Sequence, residues 1–164
     1  LKSAVREPPA LDATTRYGKL SHAAIQKAAG AIWSMQKFQQ ETGAVHGTAL
    51  CEPNGEIIMV REDVGRHNAL DKLLGGMARL GIKKEQSVGR GFVVTTSRAS
   101  YEMVLKTVTA GIGTLAAVSA PTSLAIELAN KAGLTLIGFL RTGRHVVYTN
   151  DWRMEIGVFQ KECQ

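Results

Sequence analysis

The sequence predicts an α/β fold, with three α-β-α layers built around a mixed, mostly parallel sheet in one domain. Three observations carry this. From residue 92 onward, short apolar, β-branched runs alternate with helical stretches of about ten residues, the pattern of parallel strands joined by crossover helices. Before that, two apolar runs flank the turn Pro53-Asn54-Gly55-Glu56, which marks a β-hairpin. The 164 residues, 45% hydrophobic and 21% charged, suit a single soluble globular domain with a substantial core.

The elements follow in order. After a loop through Pro8-Pro9, apolar positions Leu20, Ala23, Ala24, Ala28, Ala31, Ile32, Met35 and Phe38 recur at helical spacing. They predict one helix with a buried stripe, capped by Ser21 and followed by Gly43. Strands are expected at 44–51 and 57–60, then a helix over 67–80 that buries Ala69, Leu70, Leu73, Leu74 and Met77 and stops at Gly81. Strands at 92–96, 114–118 and 135–140 alternate with helices at 101–110 and 122–132, and a last strand at 146–148 returns antiparallel to its predecessor. The expected division is an N-terminal segment (1–19), the α/β domain (20–149) and a C-terminal tail (150–164).

The balance of 20 Lys+Arg against 14 Asp+Glu gives +6, which suits nucleic acid, a phosphate-bearing small molecule or an acidic partner without choosing among them. Aromatic residues make up only 5%, and no stretch alternates basic and aromatic side chains, which argues against general nucleic-acid binding. Apolar runs such as 115–118 and 134–140 fall short of the ~20 residues that cross a bilayer. No signal-peptide pattern opens the chain, so the expected location is the cytoplasm. Cys51 and Cys163 form no CxxC and no zinc-ribbon spacing. Cys51 reads as a small core residue and Cys163 as part of the tail.

In open α/β sheets, ligands bind beyond the carboxyl ends of the strands. The residues that follow the predicted strands are polar: Arg61-Glu62-Asp63 with Arg66 and His67; Thr96-Ser97-Arg98 with Ser100; Ser119 with Thr122; and Arg141-Thr142-Gly143-Arg144-His145. Arginines and hydroxyls at adjoining strand ends suit phosphate, which arginine binds bidentately. Each also has a plainer reading. Ser100 and Thr122 fit ordinary helix starts, 141–144 fits a charged hairpin turn, and 61–67 fits a solvated helix start. His46 reads as a core histidine or, alternatively, a zinc ligand or general base. The HxE and PCxxC pair of zinc deaminases is absent, as are a GxSxG elbow, a P-loop and a GxGxxG fingerprint.

Taken together, the segments TGAVHGTAL (42–50), VREDVGRHNALDKLLG (60–75), SRASYEMVLK (97–106) and AGIGTLAAVSAPTSLAIELANKAGLTLIGFLRTGRHVVYT (110–149) resemble the formate dehydrogenase accessory sulfurtransferase family, FdhD/NarQ. The resemblance implies a cytidine-deaminase-like domain, homodimeric, serving formate dehydrogenase. It also implies passage of persulfide sulfur from a cysteine desulfurase to the bis(molybdopterin guanine dinucleotide) cofactor, for which GDP is a mimic. The family's cofactor segment corresponds to Phe139, Leu140, Arg141, Thr142, Gly143 and Arg144, with Arg61, Arg66, His67, Arg98, Ser119 and Thr122 as further candidates. Membrane and nucleic acid are not expected partners. The family's carrier cysteine lies in a CxxC loop that this chain does not contain, and the chain opens LKSAVREPPALD without an initiating Met. The expectation is therefore a fragment whose carrier lies upstream of Leu1, with no catalytic residue in this chain. The alternative is a non-catalytic module that binds and inserts cofactor.

Overall fold

The computed structural model describes residues 9–11, 19–82 and 91–155. Pro8, Cys163 and most of the 1–19 segment lie outside the described residues. Helix α1 (His22–Ala31) starts on Ser21, whose hydroxyl accepts from Ala24 N at 3.0 Å, the predicted cap. The helix does not continue to Phe38. A 3-10 turn (Ile32–Met35) and a short α2 (Lys37–Thr42) replace its second half. The cause is Gln36, fully buried at φ −92, ψ 86, whose side chain lies so close to Gly47 that a Cβ there would come within 2.4 Å of it. Placing that side chain in the core breaks the helical phase. Leu20, Ala24, Ala28 and Ile32 are buried as the stripe predicted, joined by Ile25 and Ala29, while Ala23 faces solvent and Met35 and Phe38, in the part where the single helix fails, are 44% and 60% exposed.

Strands β1 (His46–Cys51) and β2 (Ile57–Asp63) form the predicted hairpin. Gly55 makes its turn possible, with φ +84 and Ala24 O at 2.3 Å from where a Cβ would sit. β2 runs past Val60 to Asp63 because β1 begins early enough to pair with it, His46 opposite Asp63. Arg61, Glu62 and Asp63 are thus strand residues, not loop. Helix α3 (Arg66–Arg79) follows at once and ends before Gly81 at φ +70. Then come β3 (Phe92–Thr95), α4 (Tyr101–Thr109), β4 (Thr114–Ala117), α5 (Ser123–Ala132), β5 (Thr135–Arg141) and β6 (Arg144–Thr149).

The six strands form one sheet in the order β2-β1-β3-β4-β5-β6. β3–β4 and β4–β5 are parallel, as the alternation predicted, and β5–β6 is antiparallel. The sheet is mixed, as expected, but β1 is antiparallel to both neighbours, so antiparallel pairs outnumber parallel ones and only the expected parallel majority is corrected. Helices α3, α4 and α5 cover one face of the sheet and α1 the other, giving the three layers. Along β3, Val93 enters the first core while Phe92 and Val94 enter the second. A strand buried on both faces reads as an unbroken apolar run. Residues 150–155 fold back on the domain: Arg153 is buried, its guanidinium donates to Gly133 O, and Leu20 bridges Met154.

Candidate functional site

Because β1 opposes β3, its first residue, His46, lies at the edge of the sheet where β2, β3, β4 and β5 end and β6 begins. The polar strand-end segments therefore share one edge. Backbone bonds tie them together: Thr96 N to Gly47 O at 2.9 Å, Val118 N to Thr95 O at 3.0 Å, Thr122 N to Ala99 O at 3.1 Å and Phe139 N to Ser119 O at 3.3 Å.

The best-formed feature on this edge is the β5–β6 hairpin. Its pairing is interrupted between Gly138 and Arg141, and within that interruption Phe139 adopts φ +50 and is 45% exposed. Such a backbone is costly for a bulky L-residue. Gly138 beside it has no room for a Cβ, which would sit 2.8 Å from Pro121 and 2.9 Å from Tyr148. Leu140 turns into the core, whereas Arg141, Thr142 and Arg144 stand in solvent around Gly143 at φ +78. Arg141 Nη1 donates to Val118 O and, at 3.1 Å, to Leu140 O, which fixes its base against the end of β4. Phe139, Arg141, Arg144, His145 and Val146 line a cavity of about 330 Å³. An aromatic face and two cations, one of them anchored to the end of β4, around a hollow of that size suit an anionic, ring-bearing ligand.

Across the edge a second polar group forms. His67 Nε2 lies 3.0 Å from Ser100 Oγ and 3.8 Å from Glu102. Ser100 therefore spends its hydroxyl on His67 rather than on capping α4. Thr122 does cap α5, its hydroxyl accepting from Ala125 N at 3.2 Å, so the plainer reading holds there. Glu102 is held below the usual carboxylate range by its own backbone N–H and the Ser100 hydroxyl. Burial, and then the Arg66 guanidinium, lower the His46 pKa. Arg66 Nε is buried with no partner among the described residues, and Arg98 projects from the loop after β3 into solvent.

The other predicted residues have separate jobs or places. Arg61 lies on the outer side of β2, in a groove of about 720 Å³ with Lys72 and Arg79, apart from the hairpin. Glu62 accepts from Phe38 N at 3.1 Å and Gln39 N at 2.9 Å and so caps α2. Asp63 pairs with Lys72 at 2.5 Å and accepts from Gly65 N at 2.9 Å, which lowers its pKa to about 2. Sequence reasoning missed His22 and Gln26, one turn apart on α1, which bond to His145 and Gly143. Their i, i+4 spacing on an alanine-rich helix was the available signal; which strand they would meet was not legible. Cys51 is wholly buried and burial pushes its thiol up to about 12, as suits a core residue.

The fold and this edge define an α/β domain with a basic, aromatic-bearing rim at its strand ends. Residues 2–155 match the FdhD/NarQ family. The chain belongs to that family. It is 53% identical over 135 residues to the sulfur carrier protein FdhD of Variovorax paradoxus, covering 82% of this chain and 47% of that one. It is 47% identical over 158 residues to the FdhD of Xanthomonas campestris pv. campestris, covering 96% and 54%. The crystal structure of a protein from Desulfotalea psychrophila, described as a candidate formate dehydrogenase accessory protein, superposes with a TM-score of 0.76 at 31% identity. It covers 90% of this chain and 59% of that one. The chain thus spans about half the length of the curated relatives it matches.

Proposed function

We propose that this chain is the cofactor-binding part of a sulfur carrier that serves formate dehydrogenase, with the β5–β6 hairpin as its nucleotide cradle. The observation that carries this is the cavity in which the strained, exposed Phe139 meets Arg141 and Arg144. In the bis(molybdopterin guanine dinucleotide) cofactor, Phe139 would stack on guanine and the two arginines would hold the pyrophosphate. The hollow is at the small end of ligand sites and takes one nucleotide arm. Arg98, Arg66 and His67, on the same edge, are available to the rest of the molecule. Bound there, the cofactor would supply the metal centre that receives sulfur; this chain's residues would bind and orient it.

The described residues offer no accessible thiol, since Cys51 is buried, so on this reading the carrier cysteine belongs to another part of the whole protein. A cysteine desulfurase is the proposed sulfur donor, formate dehydrogenase the recipient, a homodimer the working form and the cytoplasm its place. The buried thiol equally favours the second reading, a cofactor-inserting module without sulfur chemistry. Transfer of labelled sulfur by the full-length protein separates the two.

The cradle is tested by calorimetry with GDP. Arg144→Ala removes a charge-assisted bond of about 1.5–3 kcal/mol and is expected to weaken GDP binding by about tenfold or more. Affinity should also fall with salt. No binding at millimolar GDP, or an unchanged Kd in Arg144→Ala, would remove the cradle.

A further inference from the structure

The β5–β6 turn is held from outside its own ladder. Gly143 N donates to Gln26 Oε1 on α1 at 2.7 Å, Gln26 Nε2 lies 2.9 Å from His145 Nδ1, and His145 Nε2 lies 2.8 Å from His22 Nδ1. A backbone N–H can only donate, so the carbonyl oxygen of Gln26 must face Gly143 and its NH2 must face His145. His145 Nδ1 is then an acceptor, its proton sits on Nε2, and that proton is donated to His22 Nδ1. One backbone amide therefore sets the direction of the whole chain and requires both imidazoles neutral. Burial lowers the His145 pKa, which agrees with a neutral ring there. The charged groups that share its cavity, Arg141 and Arg144, also oppose a positive ring.

We infer that Gln26, backed by His145 and His22, is the positioning residue of the nucleotide cradle: it fixes the turn that carries Arg141 and Arg144 and so sets affinity for a phosphate-bearing nucleotide. This rests on the reading of that turn as a nucleotide site. The turn needs such a hold because the β5–β6 ladder is broken between Gly138 and Arg141, directly before it. An unbraced turn would have to be ordered by the ligand, and that ordering is subtracted from affinity.

Three measurements on the whole chain test it. Long-range ¹H–¹⁵N spectra of the imidazoles should show His145 neutral with its proton on Nε2; a proton on Nδ1 would overturn the chain of bonds. Hydrogen exchange at Gly143 should be slow in the wild type and fast in Gln26→Leu. Gln26→Glu keeps an acceptor for Gly143 but demands a proton on His145 Nδ1, so it should restore slow exchange while raising the pH at which His145 titrates. GDP binding by Gln26→Leu should weaken about tenfold with the thermal midpoint preserved. Unchanged exchange, or unchanged affinity despite faster exchange, would overturn the proposal. If the wild type does not bind GDP at all, the nucleotide reading and the claim about affinity fail together. Exchange and tautomer still decide separately whether Gln26 holds the turn.

Discussion

Phe139 stands where stability and binding pull apart, and substituting it measures both. At φ +50 the backbone costs about 1–2 kcal/mol for an L-residue, a cost that glycine does not pay. With 45% of the residue exposed, truncation forfeits about half of the roughly 1.5–3 kcal/mol that burying a phenylalanine contributes. Glycine in a strand loses a further 0.5–1 kcal/mol, roughly, in backbone entropy. For Phe139→Gly these terms nearly cancel. Phe139→Ala loses the contacts and keeps the strain, so the glycine variant should be the more stable by about 1 kcal/mol. That corresponds to about 2–4 °C in Tm by calorimetry for a chain of this size. Both variants lose the stacking face, worth about 1–3 kcal/mol per base, so both should bind GDP roughly tenfold or more weakly. An alanine variant as stable as the glycine variant would refute the strained backbone. Retained affinity in both would refute the stacking role.

Three further outcomes follow from the site. In a Cys163→Ser background, Cys51 should not react with a disulfide reagent at pH 8 until the protein is unfolded, because burial holds its thiol up to about 12; reaction in the folded state would contradict its place in the core. Asp63, lowered to about 2 chiefly by Lys72 and then by Gly65 N–H, stabilises the fold above the ordinary carboxylate pKa of about 4 and loses that contribution as pH falls through about 2. Acid unfolding should thus be less steep in that window for Lys72→Met than for the wild type, and equal slopes would count against the pair. Glu62→Ala removes the acceptor for Phe38 N and Gln39 N and should cost about 1 kcal/mol, seen as faster exchange in α2 with GDP binding unchanged. A loss of GDP binding there would mean that Glu62 serves the ligand as well as the helix.

Local chemistry wrote much of the fold into the chain. Ser21 caps α1, Gly43 and Gly81 end helices with positive φ, and Asn54-Gly55 turns the first hairpin, each for reasons confined to a few neighbouring residues. The alternation after residue 92 fixed the parallel strands β3, β4 and β5, because a strand buried on both faces is a continuous apolar run wherever it pairs. That phosphate-suited side chains follow the strands was equally legible.

What the chain alone did not carry depends on contacts between distant residues. Gln36 reads as a polar position on a helical stripe; only its burial against Gly47 shows why that helix breaks and leaves Met35 and Phe38 outside. Arg61 reads as part of the same loop as Arg66, yet the extension of β2 opposite β1 carries it to the outer groove. His22 and Gln26 sit 123 and 117 residues along the chain from their partners His145 and Gly143 in the turn they hold. Sequence by itself determined the family, the element types and the candidate edge, since these rest on periodicity, caps and motifs. Tertiary structure decided which charges share a hollow and which only brace the fold, because a side chain's partner is fixed by sheet order and register and not by its neighbours along the chain.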